Sequence, residues 1–105
     1  MSSLFDLTGR VAVVVGGTSG IGRTIAIGLA DAGADVVATA RRQELVDEVA
    51  KAIEARGRRS LRVASDVGDR ESLERVHAET MKAFGRVDIV VCAAGITKRV
   101  PTLDM

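Results

Sequence analysis

Residues 11–30 read VAVVVGGTSGIGRTIAIGLA: an unbroken apolar run, then four glycines within seven residues (Gly16, Gly17, Gly20 and Gly22), then a helix-like pattern. The run Val11 to Val15 is rich in β-branched residues and bounded by Gly9 and Gly16, as expected of a strand buried on both faces of a parallel sheet. From Ile21 the apolar residues Ile21, Ile25, Leu29 and Ala32 keep helical spacing, and Gly33 follows where a helix end favours glycine.

The same alternation continues along the chain. ADVVATA (34–40) supplies a second strand, and Leu45, Val49, Ala52 and Ile53 a second amphipathic helix ending near Gly57. SLRVASD (60–66) reads as a short third strand. Asp69 is placed to cap a third helix, whose inward face is expected to carry Leu73, Val76, Met81 and Phe84 before Gly85. VDIVVCAAG (87–95) then forms a fourth strand. Strands separated by single helices of this length join by right-handed crossovers, so β-α-β-α-β-α-β predicts an α/β, doubly wound parallel sheet. Residues 1–105 are read as a single domain.

Composition bounds the function. With 105 residues, 47% of them hydrophobic and 28% charged, the chain can bury roughly two thirds of its unfolded surface. A formal net charge of +1 offers no overall field for nucleic acid or an anionic membrane. No apolar run approaches the roughly 20 residues of a membrane span, and MSSLFDLTGR lacks the features of a signal peptide, so a cytoplasmic location is expected. One cysteine and one histidine make a zinc site improbable. Cys92 is expected to be a buried core thiol and His77 a surface residue.

Ligands of such sheets sit at the carboxyl ends of the strands. That edge gathers GGTSGIG, ARR, SDV and AAGI. Gly16, Gly20 and Gly22 form G-x-x-x-G-x-G: Gly16 for the tight turn, Gly20 for approach of backbone to a pyrophosphate, Gly22 for close packing of helix on strand. N–H groups at the helix start, with the hydroxyls of Thr18 and Ser19, would hold the phosphates. No Lys-Ser or Lys-Thr follows the glycines, which excludes a nucleoside triphosphate loop. After the second strand stands Ala40, with no carboxylate for a ribose 2'-hydroxyl, and then Arg41 and Arg42, which favour the 2'-phosphate of NADP over NAD. Asp66 is a candidate acceptor for the adenine amino group with Val67 packing on the ring; Asp66 could equally cap a turn. Ala93, Ala94 and Gly95 are small enough for a cofactor to pass along the backbone.

Taken together, FDLTGRVAVVVGGTSGIGRTIA, SDV and FGRVDIVVCAAGI resemble the N-terminal part of a short-chain dehydrogenase/reductase, and the match runs over essentially the whole chain. The resemblance implies a Rossmann fold, NAD(P)-dependent hydride transfer between an alcohol and a carbonyl, and a homotetramer. It also implies cofactor roles for Gly16, Ser19, Ile21, Arg41, Asp66, Val67 and Gly95. Two departures stand out: Cys92-Ala93-Ala94-Gly95 replaces the family's Asn-Asn-Ala-Gly, and Val15 stands where threonine is usual. The family's tyrosine, lysine, serine and helix asparagine have no assignable counterparts, and the chain contains no tyrosine. No catalytic residue is therefore named. The chain is expected to be the cofactor-binding half of a longer reductase, with apolar surface left open on the face that only the third helix covers. A non-catalytic dinucleotide-binding module and an inactive fragment are the alternatives. AGITKRVP suggests a gluconate-type sugar-acid substrate, with 3-oxoacyl thioesters as the rival.

Overall fold

A computed structural model describes residues 6–16, 18, 20–66 and 68–93. Its elements follow the order β1 (Val11–Val15), α1 (Gly20–Asp31), β2 (Asp35–Thr39), α2 (Gln43–Glu54), α3 (Arg70–Phe84) and β3 (Ile89–Cys92). The three strands form a parallel sheet in the order β2-β1-β3, with Val15 level with both Thr39 and Cys92. Helices cover both faces, as expected for a doubly wound Rossmann-type sheet.

Alternate residues of the strands point to opposite layers. Ala12, Val14, Val36 and Ala38 pack with Ala26, Ala30, Val49 and Ile53 beneath α1 and α2. Val13 and Val37 face the other way, onto Val76 of α3. In α1 the fully buried stripe is Gly22, Ala26 and Ala30, one small residue per turn, and this brings the helix close to the sheet. Ile25 and Leu29 flank that stripe, and Ile21 is exposed.

α3 differs from the expected pattern. Its buried residues are Ser72, Val76 and Thr80, and Met81 is exposed. The Thr80 hydroxyl donates to the Val76 carbonyl at 2.7 Å, which meets its polar demand inside the layer. Helix boundaries follow the sequence closely: the Asp69 side chain accepts the Glu71 N–H at 3.0 Å, and Gly85 closes the helix at φ +81°.

The expected strand at 60–66 is not formed. The segment runs beside β2, tied by Val36 N–H to Arg59 O at 3.0 Å and Ser65 N–H to Ala40 O at 2.8 Å. Both bonds fit one parallel register, but between them the Val63 carbonyl is met by the Thr39 hydroxyl instead of a backbone N–H. A side chain thus interrupts the ladder. Cys92 is also corrected: it is exposed, not buried, because with Val90 it lies on the face of β3 turned toward α3, where Val90 is 66% exposed. Val13, Val15, Val76, Val90 and Cys92 line an apolar groove of about 280 Å³ on that side.

The amino ends of the strands are fastened by charge. Asp88 accepts from Val11 N–H at 2.9 Å and from two nitrogens of Arg86, each at 2.8 Å, with Arg10 nearby. The Asp35 carboxylate takes the backbone N–H and guanidinium of Arg59. The Arg86 bonds, then the Val11 N–H, hold the Asp88 carboxyl below its ordinary pKa. Partial burial works the other way at Asp35, but the Arg59 bonds outweigh it and its pKa is also lowered. A carboxylate with a depressed folded-state pKa contributes stability above its unfolded pKa of about 4 and loses it as pH falls through the folded value. Asp88→Asn is therefore expected to lower the urea midpoint at pH 7, with the gap from the unmodified chain closing as pH falls below about 4. A gap independent of pH would show that the charge does not act in folding.

Candidate functional site

The carboxyl edge of the sheet is level across its strands. Gly16 N–H donates to Thr39 O at 2.8 Å and Ala93 N–H to Val15 O at 2.8 Å, so parallel pairing continues one residue beyond each strand. Ser65 N–H reaches Ala40 O in the same row. Gly16, Ala40, Asp66 and Ala93 consequently stand along one edge, as the sequence predicts.

Two glycines on this edge have different physical tasks. At Gly22 a Cβ would lie 1.9 Å from the Gly16 carbonyl oxygen, 2.8 Å from its carbon and 3.1 Å from the Ala93 Cβ. Backbone cannot yield that space cheaply, so only glycine allows α1 to start against the end of β1. At Gly20 the backbone is left-handed, at φ +56°, and its Cβ position faces open space. The first turn of α1 thus presents bare backbone outward at Gly20, beside the exposed side chain of Ile21. It carries no acidic residue, so nothing opposes an anion at the positive end of the helix. Thr18, next to it, is 4% exposed.

Arg41 and Arg42 are not equivalent. The Arg42 guanidinium meets Glu44 at 3.3 Å, and its backbone carbonyl accepts the N–H groups of Leu45 and Val46 at the start of α2. Arg41 is exposed just past β2, with no ion pair among the described residues. Asp66 is half-buried, and its Oδ1 accepts the Gly68 N–H at 2.9 Å, so it does cap a turn. Ser19, Val67, Ala94 and Gly95 lie outside the described residues. His77 is exposed on α3, as expected. Among the described residues no group of three His, Cys, Asp or Glu could hold a metal ion, and no helix is long and apolar enough to cross a membrane.

The sequence reading does not single out Thr39, Ser65 or Ser72. All three are buried polar residues bonded at this edge. Their residue types are common in loops and helix starts, and only the folded turn distinguishes them.

The family model for short chain dehydrogenase matches residues 10–105. The chain belongs to the short-chain dehydrogenase family. It is 42% identical over 94 residues to an uncharacterized oxidoreductase of Mycobacterium tuberculosis, covering 90% of this chain and 36% of that protein. It is 38% identical over 98 residues to gluconate 5-dehydrogenase of Gluconobacter oxydans, covering 93% of this chain and 38% of the relative. Among solved structures, L-sorbose reductase from Gluconobacter frateurii, complexed with NADPH and L-sorbose, superposes with a TM-score of 0.78 at 36% identity over 93% of this chain and 35% of that one. The chain thus spans little more than a third of the length of these short-chain dehydrogenases.

Two glycines of α1 separate the demands of the site from those of the helix. Gly22→Ala is expected to destabilise the chain by about 1–3 kcal/mol or more, because backbone must move to admit the methyl group. Gly28, on the exposed side of α1 with nothing within 4 Å of its Cβ position, is expected to tolerate alanine with a gain of about 0.5–1 kcal/mol. Urea denaturation of the two variants checks the opposite signs.

Proposed function

We propose that this chain supplies the cofactor edge of an NADP-linked oxidoreductase that transfers hydride between the nicotinamide and an alcohol or carbonyl substrate. The observation that carries the reading is the convergence of the Gly16–Gly22 cradle, Arg41, Asp66 and Ala93 on one edge of a sheet of this family. The open backbone at Gly20 and the close seat at Gly22 fit a pyrophosphate laid across the start of α1, with Thr18, Ser19 and Ile21 completing the loop.

Arg41 pairs with the 2'-phosphate in this reading. A guanidinium forks onto phosphate and gains little from a bare hydroxyl, so NADP is preferred to NAD. Arg42, held by Glu44, contributes chiefly positive field. Asp66 accepts the adenine amino group, Val67 packs on the ring, and Ala93, Ala94 and Gly95 leave room for the cofactor to pass. The bound cofactor supplies the hydride. Proton transfer is assigned to no residue of this chain, which contains no tyrosine.

The proposed substrate class is a polyhydroxylated sugar or sugar acid, supported by the likeness to gluconate 5-dehydrogenase and L-sorbose reductase. A cytoplasmic location and a homotetrameric assembly belong to the same reading, the second on the strength of the family resemblance.

The test is calorimetric titration with NADPH and NADH. Arg41→Asp is expected to weaken NADPH binding about 10- to 100-fold and leave NADH binding within about threefold. Equal losses would remove Arg41 from 2'-phosphate recognition. An absence of saturable binding of either nucleotide to the unmodified chain would overturn the cofactor reading itself.

A further inference from the structure

We infer that Ser72, in the first turn of α3, is a positioning residue that sets Asp66 for discrimination of the adenine amino group. This rests on the cofactor reading above and assigns a new residue to it.

The helix does not need this hydroxyl. Asp69 already caps α3 through its side chain, and its carbonyl accepts the N–H groups of Ser72 and Leu73. Ser72 is 7% exposed, and its hydroxyl points back out of the helix. Its Oγ accepts the Asp66 N–H at 2.9 Å and lies 3.2 Å from the Asp66 carbonyl and 3.0 Å from the Asp69 carbonyl. One buried hydroxyl thus accepts the backbone N–H of Asp66 and places its single proton between the Asp66 and Asp69 carbonyls. The Asp66–Asp69 turn is closed by Asp69 N–H to Asp66 O at 2.8 Å and Gly68 N–H to Asp66 Oδ1 at 2.9 Å.

The residue before the turn is tied as firmly. Ser65 N–H bonds Ala40 O, and the hydroxyls of Ser65 and Thr39 share a bond of 2.9 Å in a fully buried position. Asp66 is therefore fixed on one side by the sheet and on the other by Ser72 together with the N–H groups of Gly68 and Asp69. Removal of the Ser72 hydroxyl leaves the Asp66 N–H without its partner, while the sheet anchor and the two turn bonds remain. The fold is kept, and the carboxylate is carried on a backbone that has lost one of its ties. A site that hydrogen-bonds an amino group discriminates sharply against an analogue lacking it, provided the acceptor is held in place.

The test compares NADPH with its deamino analogue, which carries hypoxanthine in place of adenine, on the full chain. The unmodified chain is expected to prefer NADPH by about tenfold, and Ser72→Ala to reduce that preference to about twofold or less. Ser72→Thr, which restores the hydroxyl, is expected to recover it. A general loss of packing would weaken both nucleotides alike and leave their ratio unchanged, so an unchanged ratio in Ser72→Ala overturns the assignment. Should Ser72→Ala fail to fold, Ser72→Cys keeps the volume with a poor acceptor and carries the same expectation and the same overturning result. In an Asp66→Ala background, Ser72→Ala is expected to change the ratio no further; an additional change would show that Ser72 acts by another route. Failure of the unmodified chain to bind NADPH at all is a different outcome, and it removes the cofactor reading together with this assignment.

Discussion

The absence of a side chain at Gly22 is the constraint on which the rest depends. With 1.9 Å between a Cβ at that position and the Gly16 oxygen, the first turn of α1 is pressed against the backbone that leaves β1. The stripe continues through Ala26 and Ala30, so the whole helix approaches the sheet closely enough for Ala12, Val14, Val36 and Ala38 to be shielded by small side chains. A Cβ at Gly22 would also crowd Ala93, the residue after β3, whose level is set by its N–H bond to Val15 O. Position of the helix start and burial of the central strand are therefore one geometric fact.

The two ends of the sheet divide their tasks by how their charges are used. At the amino end, the carboxylates of Asp35 and Asp88 are satisfied by Arg59, Arg86 and backbone N–H groups. The Asp35–Arg59 and Asp88–Val11 bonds join segments far apart in sequence, and Arg86 holds the Asp88 carboxylate from two residues away. At the carboxyl end the polar groups that fasten the sheet are mostly uncharged: backbone N–H groups and the hydroxyls of Thr39, Ser65 and Ser72. That leaves Arg41 and one side of the Asp66 carboxylate outside the structural network among the described residues, at the end where sheets of this kind bind ligands.

Apolar runs and glycine positions make most of this architecture legible in the sequence. Val11–Val15 is β-branched at four of its five positions and is bounded by glycines as a strand is, and Asp69 and Gly85 mark the ends of α3 through capping and a left-handed residue. Periodicity fails where polarity and burial part company. Thr80 takes the buried place that Met81 would be expected to hold, because a hydroxyl bonded to the preceding turn is small and satisfied. Residues 60–66 have the composition of a strand but keep only the two outer bonds of the ladder, and the Val63 carbonyl is taken by the Thr39 hydroxyl, a contact between residues 24 apart that no local pattern encodes. Gly16, Gly20 and Gly22 are legible because each answers a backbone demand. The bonds of Ser72 are not, because they depend on which way one hydroxyl turns in the folded loop.

The departure at Cys92-Ala93 can be understood in the same terms. Where the family carries two asparagines, this chain has an exposed thiol and a buried methyl group. Side-chain amides are thus missing from the end of β3, yet the row of bonds through Ala93 N–H, Val15 O, Gly16 N–H and Thr39 O is intact. A methyl group at residue 93 also sits beside the Gly22 approach without intruding on it. Cohesion of the edge here comes from backbone pairing and close packing of small residues. With no side-chain amide at residues 92 and 93, the proposed cofactor recognition rests on the cradle after β1, on Arg41 and on Asp66.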